Sequence, residues 1–304
     1  MFYVVGLGTG AFDLLGPGLT ALSAGATVAL ALSLAEAAAG VTAGVLAAVV
    51  VTLLPAFIPL HRASVHGPPL LVLTVFTLAA MVHAPRFSFA YGGAAAIVAL
   101  FVSPSGIGVP VAAAVWAFVQ ARRRGKRRMR RVALAIAPLV VGLVVMYYTG
   151  SDAWNSPVTI AWRGGLDAGL SAAGRVFGDQ LAPGLSQGAL RWIIIADSAL
   201  VAIALVAVAW RRVAGRLPSD ALLRRFFEAS GVLAVAYAVG LALRTMLIAG
   251  APDPDLAAVL PIVVIGTVVV VVSIVSLWPR WSRAGKLVAV MLGAGWMGAS
   301  ILLR

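Results

Sequence analysis

Long apolar runs, each closed by glycine, proline or a burst of positive charge, follow one another along most of this chain. A helix needs roughly 20 apolar residues to cross a bilayer, about 17–25 with tilt. On that measure apolar segments read as 18–39, 41–60, 68–84, 87–102, 105–120, 132–149, 189–210, 227–249, 256–278 and 287–303, which predicts about ten transmembrane helices. Segments 87–102 and 105–120 are short for full crossings, and the Ser103-Pro104-Ser105-Gly106 turn between them leaves no room for a loop domain. Residues 1–15 form a shorter apolar piece, read as an interfacial or re-entrant helix that Gly16-Pro17-Gly18 ends. The fold class expected is all-α, a polytopic integral membrane helical bundle forming one transmembrane domain over 1–304.

Composition agrees with the pattern. A mean hydropathy of +1.04 with 11% charged residues lies far outside the range of soluble domains. Charge then orients the bundle. Residues 121–131 carry eight cationic side chains in eleven positions between two apolar runs, and cytoplasmic loops are the ones that retain Lys and Arg. With that basic loop inside, alternation also puts inside Arg86, the group Arg211, Arg212, Arg216, Arg224 and Arg225, and the group Arg280, Arg283 and Lys286. Arg62, Arg163, Arg175, Arg191, Arg244 and Arg304 are left outside, and both termini come out on the external face.

The net charge of +13 would point to nucleic acid in a soluble protein. Here topology and anionic head groups account for cations held in short loops, so membrane lipids are expected partners and nucleic acid is not. Met1 leads into Phe-Tyr-Val-Val-Gly without a charged n-region or cleavage site, so no removable signal peptide is expected. The bias to Ala, Val, Gly and Arg suits a GC-rich genome, and a bacterial cytoplasmic (inner) membrane is the expected location.

Several features read as packing or anchoring. Trp116, Trp210, Trp278 and Trp281 fall near expected inner ends, and Trp154 and Trp192 near outer ends, as an aromatic belt requires. The pairs Gly40/Gly44 and Gly293/Gly297 have the small-x-x-x-small spacing of close helix contacts. The external loop 150–188 places Ile160, Leu166, Leu170 and Phe177 among Arg and Asp, which predicts an amphipathic helix on the membrane surface.

Chemistry is concentrated outside. The turn Leu60-His61-Arg62-Ala63-Ser64-Val65-His66 brings two imidazoles and a guanidinium within six residues, a set suited to a phosphate. Arg244 lies near the outer end of its span, where a cation must snorkel, pair or face a polar cavity. Asp253 and Asp255, in Ala-Pro-Asp-Pro-Asp, are acidic partners for it and weak candidates for a divalent cation. Asp197 sits shallow in its span, Glu36 at an inner helix end, and Asp13 beside the Gly-Pro-Gly turn as a candidate base. The absence of Cys excludes thiolate chemistry, and the three His lack metal-ligand spacing, so no cofactor is expected. Gly6-Leu7-Gly8-Thr9-Gly10 lacks the strand context of a dinucleotide site.

Residues 15–150 resemble the membrane glycosyltransferases of the GT-C class, the protein mannosyltransferase and aminoarabinose transferase type. Leu15-Gly16-Pro17-Gly18-Leu19-Thr20-Ala21-Leu22 resembles the entry into a membrane helix after those enzymes' first external loop. Leu53-Leu54-Pro55-Ala56-Phe57-Ile58-Pro59-Leu60-His61-Arg62 resembles their helix ending in an external Arg. Ser103-Pro104-Ser105-Gly106, an apolar span and the basic loop resemble their Arg-Pro-x-Gly turn, helix and basic loop, with Ser103 in place of the Arg. The resemblance implies a GT-C bundle acting externally on a polyprenyl-phosphate-linked sugar. Arg62 would bind the phosphate, with His61, His66 and Arg244 assisting. The likeness begins after the loop that carries the family's acidic base, leaving Asp13, Asp253 and Asp255 as catalytic candidates. The alternative is a non-catalytic accessory subunit of a membrane complex. A transporter is a weaker reading, because the span centres lack the polar residues or breaks that transporters use.

Overall fold

The computed structural model describes residues 12–54, 57, 67–83, 98–99, 106, 108–123, 220–247, 256–280, 282–284, 286–287, 290–291 and 293–294. Among the described residues the regular structure is all helical, with no strand. Helix α1 is Phe12–Ala39, α2 Val41–Leu53, α3 Gly67–His83, α4 Gly108–Arg123, α5 Ala221–Leu247 and α6 Leu256–Leu277, and a 3-10 turn, Trp278–Arg280, follows α6. Gly18–Ala39 and Leu260–Leu277 are long and apolar enough to cross a membrane, by length and composition. The segments expected at 132–149 and 189–210, the loop 150–188 and most of 87–102 and of the basic loop lie outside the described residues.

Proline positions explain most of the helix boundaries. Pro68 and Pro69 fall in the first turn of α3 and Pro110 in the first turn of α4, where a missing N–H costs no intrahelical bond. Pro17 and Pro261 are each the sixth residue of their helices, so each removes one backbone bond near an end. For that reason Gly16-Pro17-Gly18 does not end a separate N-terminal piece, contrary to expectation. Helix α1 runs through it from Phe12. Pro55 has the opposite effect on α2. The residue before a proline is driven from the helical region, and Leu54 takes φ −55°, ψ 125°. Regular α2 therefore stops at Leu53; within the segment 41–60 read from hydropathy, Phe57 is helical again, its amide donating to the Leu54 carbonyl at 3.0 Å, and the other residues beyond Leu54 lie outside the described residues.

The start of α5 also departs from expectation, lying six residues before the segment 227–249. Asp220 sets it. Its Oδ1 accepts the amides of Leu222 at 2.8 Å and Leu223 at 3.1 Å, and its carbonyl accepts the Arg224 amide at 2.9 Å. A side-chain acceptor at the N-cap satisfies donors that would otherwise be orphaned and favours the helix by about 1 kcal/mol. Arg224 and Arg225 are thereby helical residues and not loop residues.

Between α1 and α2 the chain turns on one residue. Gly40, at φ 89° and ψ 174°, occupies backbone space essentially reserved for glycine. Its amide donates to the Glu36 carbonyl at 2.7 Å, closing α1, and its carbonyl accepts Ala43 and Gly44, opening α2. Gly44 then lies against α1, where a Cβ would come within 2.9 Å of Glu36 Cβ and 3.0 Å of the Leu32 carbonyl oxygen. The Gly40/Gly44 pair thus divides between a turn residue and a packing residue. Gly293 has open space around it.

The directions of four helices follow from two contacts. Leu70 and Tyr237 belong to one fully buried cluster with Val109 and Ala99, and Ile262 packs on it. Twelve residues away along each helix, Arg225 Nη1 of α5 donates to the Val82 carbonyl of α3 at 3.2 Å. Equal separations on both chains set α3 and α5 antiparallel in a single register. Gly108 opens α4 against the backbone of Tyr237 and Ile262 packs there near the start of α6, while Ala112, Trp116 and Val268 further along join the core that holds Phe226 and Leu78, so α4 and α6 also run antiparallel to α5. The main core joins α1, α2, α3, α4, α5 and α6 through residues such as Leu34, Val51, Leu78, Trp116, Phe226 and Val268. Trp116, expected to pack or anchor, packs: it is 3% exposed within this core.

The outer surfaces of these helices are apolar too. Val41, Val45 and Val49 form an i, i+4, i+8 stripe on α2 that is 66%, 52% and 41% exposed. Hydroxyls are turned inward on their own helices. Thr27, Thr52, Thr74, Thr77, Thr267, Ser273 and Ser276 each donate to the carbonyl four residues back, at 2.6–2.9 Å. Such back-bonding satisfies a hydroxyl where water is scarce.

Substitutions at the three glycines separate turn, packing and open positions. Gly40→Ala is expected to destabilise by about 1–3 kcal/mol through its backbone conformation, and Gly44→Val by about 1–3 kcal/mol through overpacking against α1. Gly293→Ala should lose nothing. Apparent melting temperatures in detergent, followed by helical circular dichroism, give the ranking, and equal behaviour of Gly44→Val and Gly293→Ala would contradict it.

Candidate functional site

The residues singled out from sequence are only partly in view. His61, Arg62, His66, Asp253 and Asp255 lie outside the described residues. Asp13 falls in the first turn of α1 and Arg244 in the last turn of α5. Arg244 stands seven residues beyond Tyr237, about 10 Å further along the helix, past the level at which α4 begins. Among the described residues no group of three or more His, Asp or Glu side chains could hold a metal ion.

The polar site that the structure does show is at the other end of α5. Glu228, two turns from the Asp220 cap, has a side chain only 3% exposed, in a stretch where Phe226, Phe227, Ala229 and Ser230 are also buried. Arg224 Nε, one turn earlier on the same face, donates to Glu228 Oε1 at 3.2 Å. The Arg224 side chain is itself 53% exposed, so the pair bridges from water into the packed interior. A carboxylate at this depth needs such a donor, because an uncompensated buried charge is costly.

Arg225 points elsewhere. Its guanidinium reaches the Val82 carbonyl in the last turn of α3, one of the acceptors that a helix leaves unsatisfied at its C-terminus. A cation there also meets the negative end of the α3 dipole. Two adjacent arginines thus do different work: one holds a buried acid on its own helix and the other caps a neighbouring helix. Sequence reading grouped both as loop cations and passed over Glu228. The Arg-x-x-x-Glu spacing would have marked the pair once the helix was started at Asp220. Ser230 Oγ, fully buried, has no hydrogen-bond partner among the described residues.

Basic positions collect at this same end. Arg122 and Arg123 close α4, Arg224 and Arg225 open α5, and Arg280, Arg283 and Lys286 follow α6. The antiparallel register brings these helix ends to one side, with Arg244 as the exception among the described cations.

No family model, curated protein or solved structure matches the chain.

Removal of Arg224 tests the buried acid. Arg224→Ala is expected to cost about 1 kcal/mol, kept small by the exposure of the guanidinium. Adding Glu228→Gln in that background should recover part of the loss, since a neutral amide needs no cation. Thermal unfolding of the four members of this cycle reads the coupling, and strictly additive changes would show that the two side chains act independently.

Proposed function

We propose that this chain is a multi-pass protein of a bacterial cytoplasmic membrane, with the basic end of the bundle in the cytoplasm and both termini outside. The observation that supports it best is the segregation of charge: α3, α4 and α6 end, and α5 begins, where the arginines and Lys286 gather. Lys and Arg are retained on the cytoplasmic side. Exposed apolar stripes and self-bonded hydroxyls support hydrocarbon as the surrounding medium. About ten spans, as the hydropathy pattern gives, would complete the bundle.

On this reading the opposite end is external and carries the chemistry. A GT-C-like bundle there would receive a polyprenyl-phosphate-linked sugar. Arg62 would contact the phosphate, His61, His66 and Arg244 would assist it, and Asp13, Asp253 or Asp255 would supply the base. The support for this activity is the resemblance over residues 15–150, together with a lone described cation, Arg244, placed towards that end of α5. One observation favours the second reading, a non-catalytic accessory subunit. Leu70, Ala99, Val109 and Tyr237, at that end, are fully buried, and Gly106 and Gly108 bring backbone against Ala99 and Tyr237. Close packing of that kind suits a scaffold more than a groove for a lipid.

Sidedness is checked in intact cells with a membrane-impermeant thiol reagent. A cysteine placed at Ser64 should react and one at Lys126 should not; the reverse pattern would refute the orientation. Donor binding separates the two activities. In the purified chain, Arg62→Ala and Arg244→Ala should each weaken binding of a polyprenyl-phosphate sugar by about tenfold, as loss of a charge-assisted phosphate contact implies. Unchanged binding in both variants, with another membrane protein retained through purification in mild detergent, would establish the accessory reading instead.

A further inference from the structure

Beyond α6 the chain forms a small arrangement that neither reading uses. The 3-10 turn Trp278–Arg280 follows α6, and the Lys286 amide donates to the Ser282 carbonyl at 3.0 Å as a new helical stretch begins. Residues 283–284, 286–287, 290–291 and 293–294 are helical. At helical spacing, positions 283, 286, 287, 290, 291 and 294 share one face. That face is divided lengthwise. Its first turn carries Arg283 and Lys286, and its next two turns carry Leu287, Val290, Met291 and Ala294. The three large apolar side chains are 64%, 57% and 65% exposed.

Lys286 is held in place and does not float free. Its Nζ lies 5.9 Å from the centroid of the Trp278 ring, a cation–π distance that anchors the ammonium at the end of α6. Trp at the end of an apolar helix marks head-group depth. An anchored cation with an exposed guanidinium beside it, followed along the same helical face by the uncovered Leu287, Val290 and Met291, repeats the order of groups in one molecule: a phosphate, then an acyl chain.

We propose that this face binds a single anionic phospholipid, its phosphate between Lys286 and Arg283 and its chain along Leu287, Val290 and Met291. The proposal rests on the membrane reading above, though not on the sugar-transfer or accessory activity. A second copy of the chain is a poorer occupant. An identical face would bring Arg283 and Lys286 of one copy near those of the other unless the copies were antiparallel, which a common membrane orientation forbids.

A photoreactive residue in place of Leu287 tests it in the full chain, reconstituted in nanodiscs of phosphatidylcholine with a minority of phosphatidylglycerol. Crosslinks should be enriched in phosphatidylglycerol on the order of fivefold above its bulk share, and the enrichment should fall to the bulk share in R283Q/K286Q. Bulk-share labelling in the unsubstituted background, enrichment unchanged in R283Q/K286Q, or crosslinking to a second copy would each overturn the proposal. Failure of the membrane reading looks different: the chain would then be recovered in the soluble fraction after lysis, before any lipid is offered.

Discussion

The Arg225 guanidinium on the Val82 carbonyl is a single hydrogen bond, and much else follows from where it falls. It joins the first turn of α5 to the last turn of α3, while twelve residues away Tyr237 and Leu70 share a buried cluster. Two fixed points on two helices leave no freedom in their relative direction or register. Gly108 and Ile262 meet the same Tyr237 region, and Trp116 and Val268 further along join the core around Phe226 and Leu78, which sets the directions of α4 and α6 in turn. The gathering of positive charge at one end is a geometric result of that register. No arginine needs to seek out another.

Burial inside the bundle is achieved with small residues and a few large ones. Ala31, Ala35, Ala43 and Ala47 allow α1 and α2 to approach closely, and Gly44 removes the last obstacle. Larger side chains, Phe226, Phe227 and Trp116, fill the space towards α4 and α5, with the two phenylalanine rings edge-on at 5.6 Å. Association by shape is what helices must rely on where the surrounding medium is as apolar as their side chains. Against that background a buried Glu228 stands out, and its donor Arg224 explains how it is tolerated.

Among the described residues much of the helical layout was legible in the sequence, because hydropathy alone locates α3, α4 and α6 to within a few residues and the end of α1. What failed was local. Gly16-Pro17-Gly18 reads as a break, yet proline near a helix start removes little. Pro55 reads as part of a continuous apolar run, yet it ends α2 through the backbone of Leu54. Hydropathy also hid the start of α5, since Arg224 and Arg225 look like loop residues until Asp220 is seen as a cap. Arg62, His61 and His66, which lie outside the described residues, are conspicuous by composition, whereas Glu228, conspicuous by burial, gives only a spacing.

The inward-turned hydroxyls have a mechanical consequence. Thr74, Thr77, Thr267, Ser273 and Ser276 are already bonded within α3 and α6, so they lay no directional bridge onto an adjoining helix. Sliding α3 or α6 along a neighbour then exchanges one set of dispersion contacts for another without rupturing those bonds. Resistance to such shear is left to the Arg225 grip on the foot of α3 and, at the other end, to the backbone contacts that Gly106 and Gly108 make with Ala99 and Tyr237.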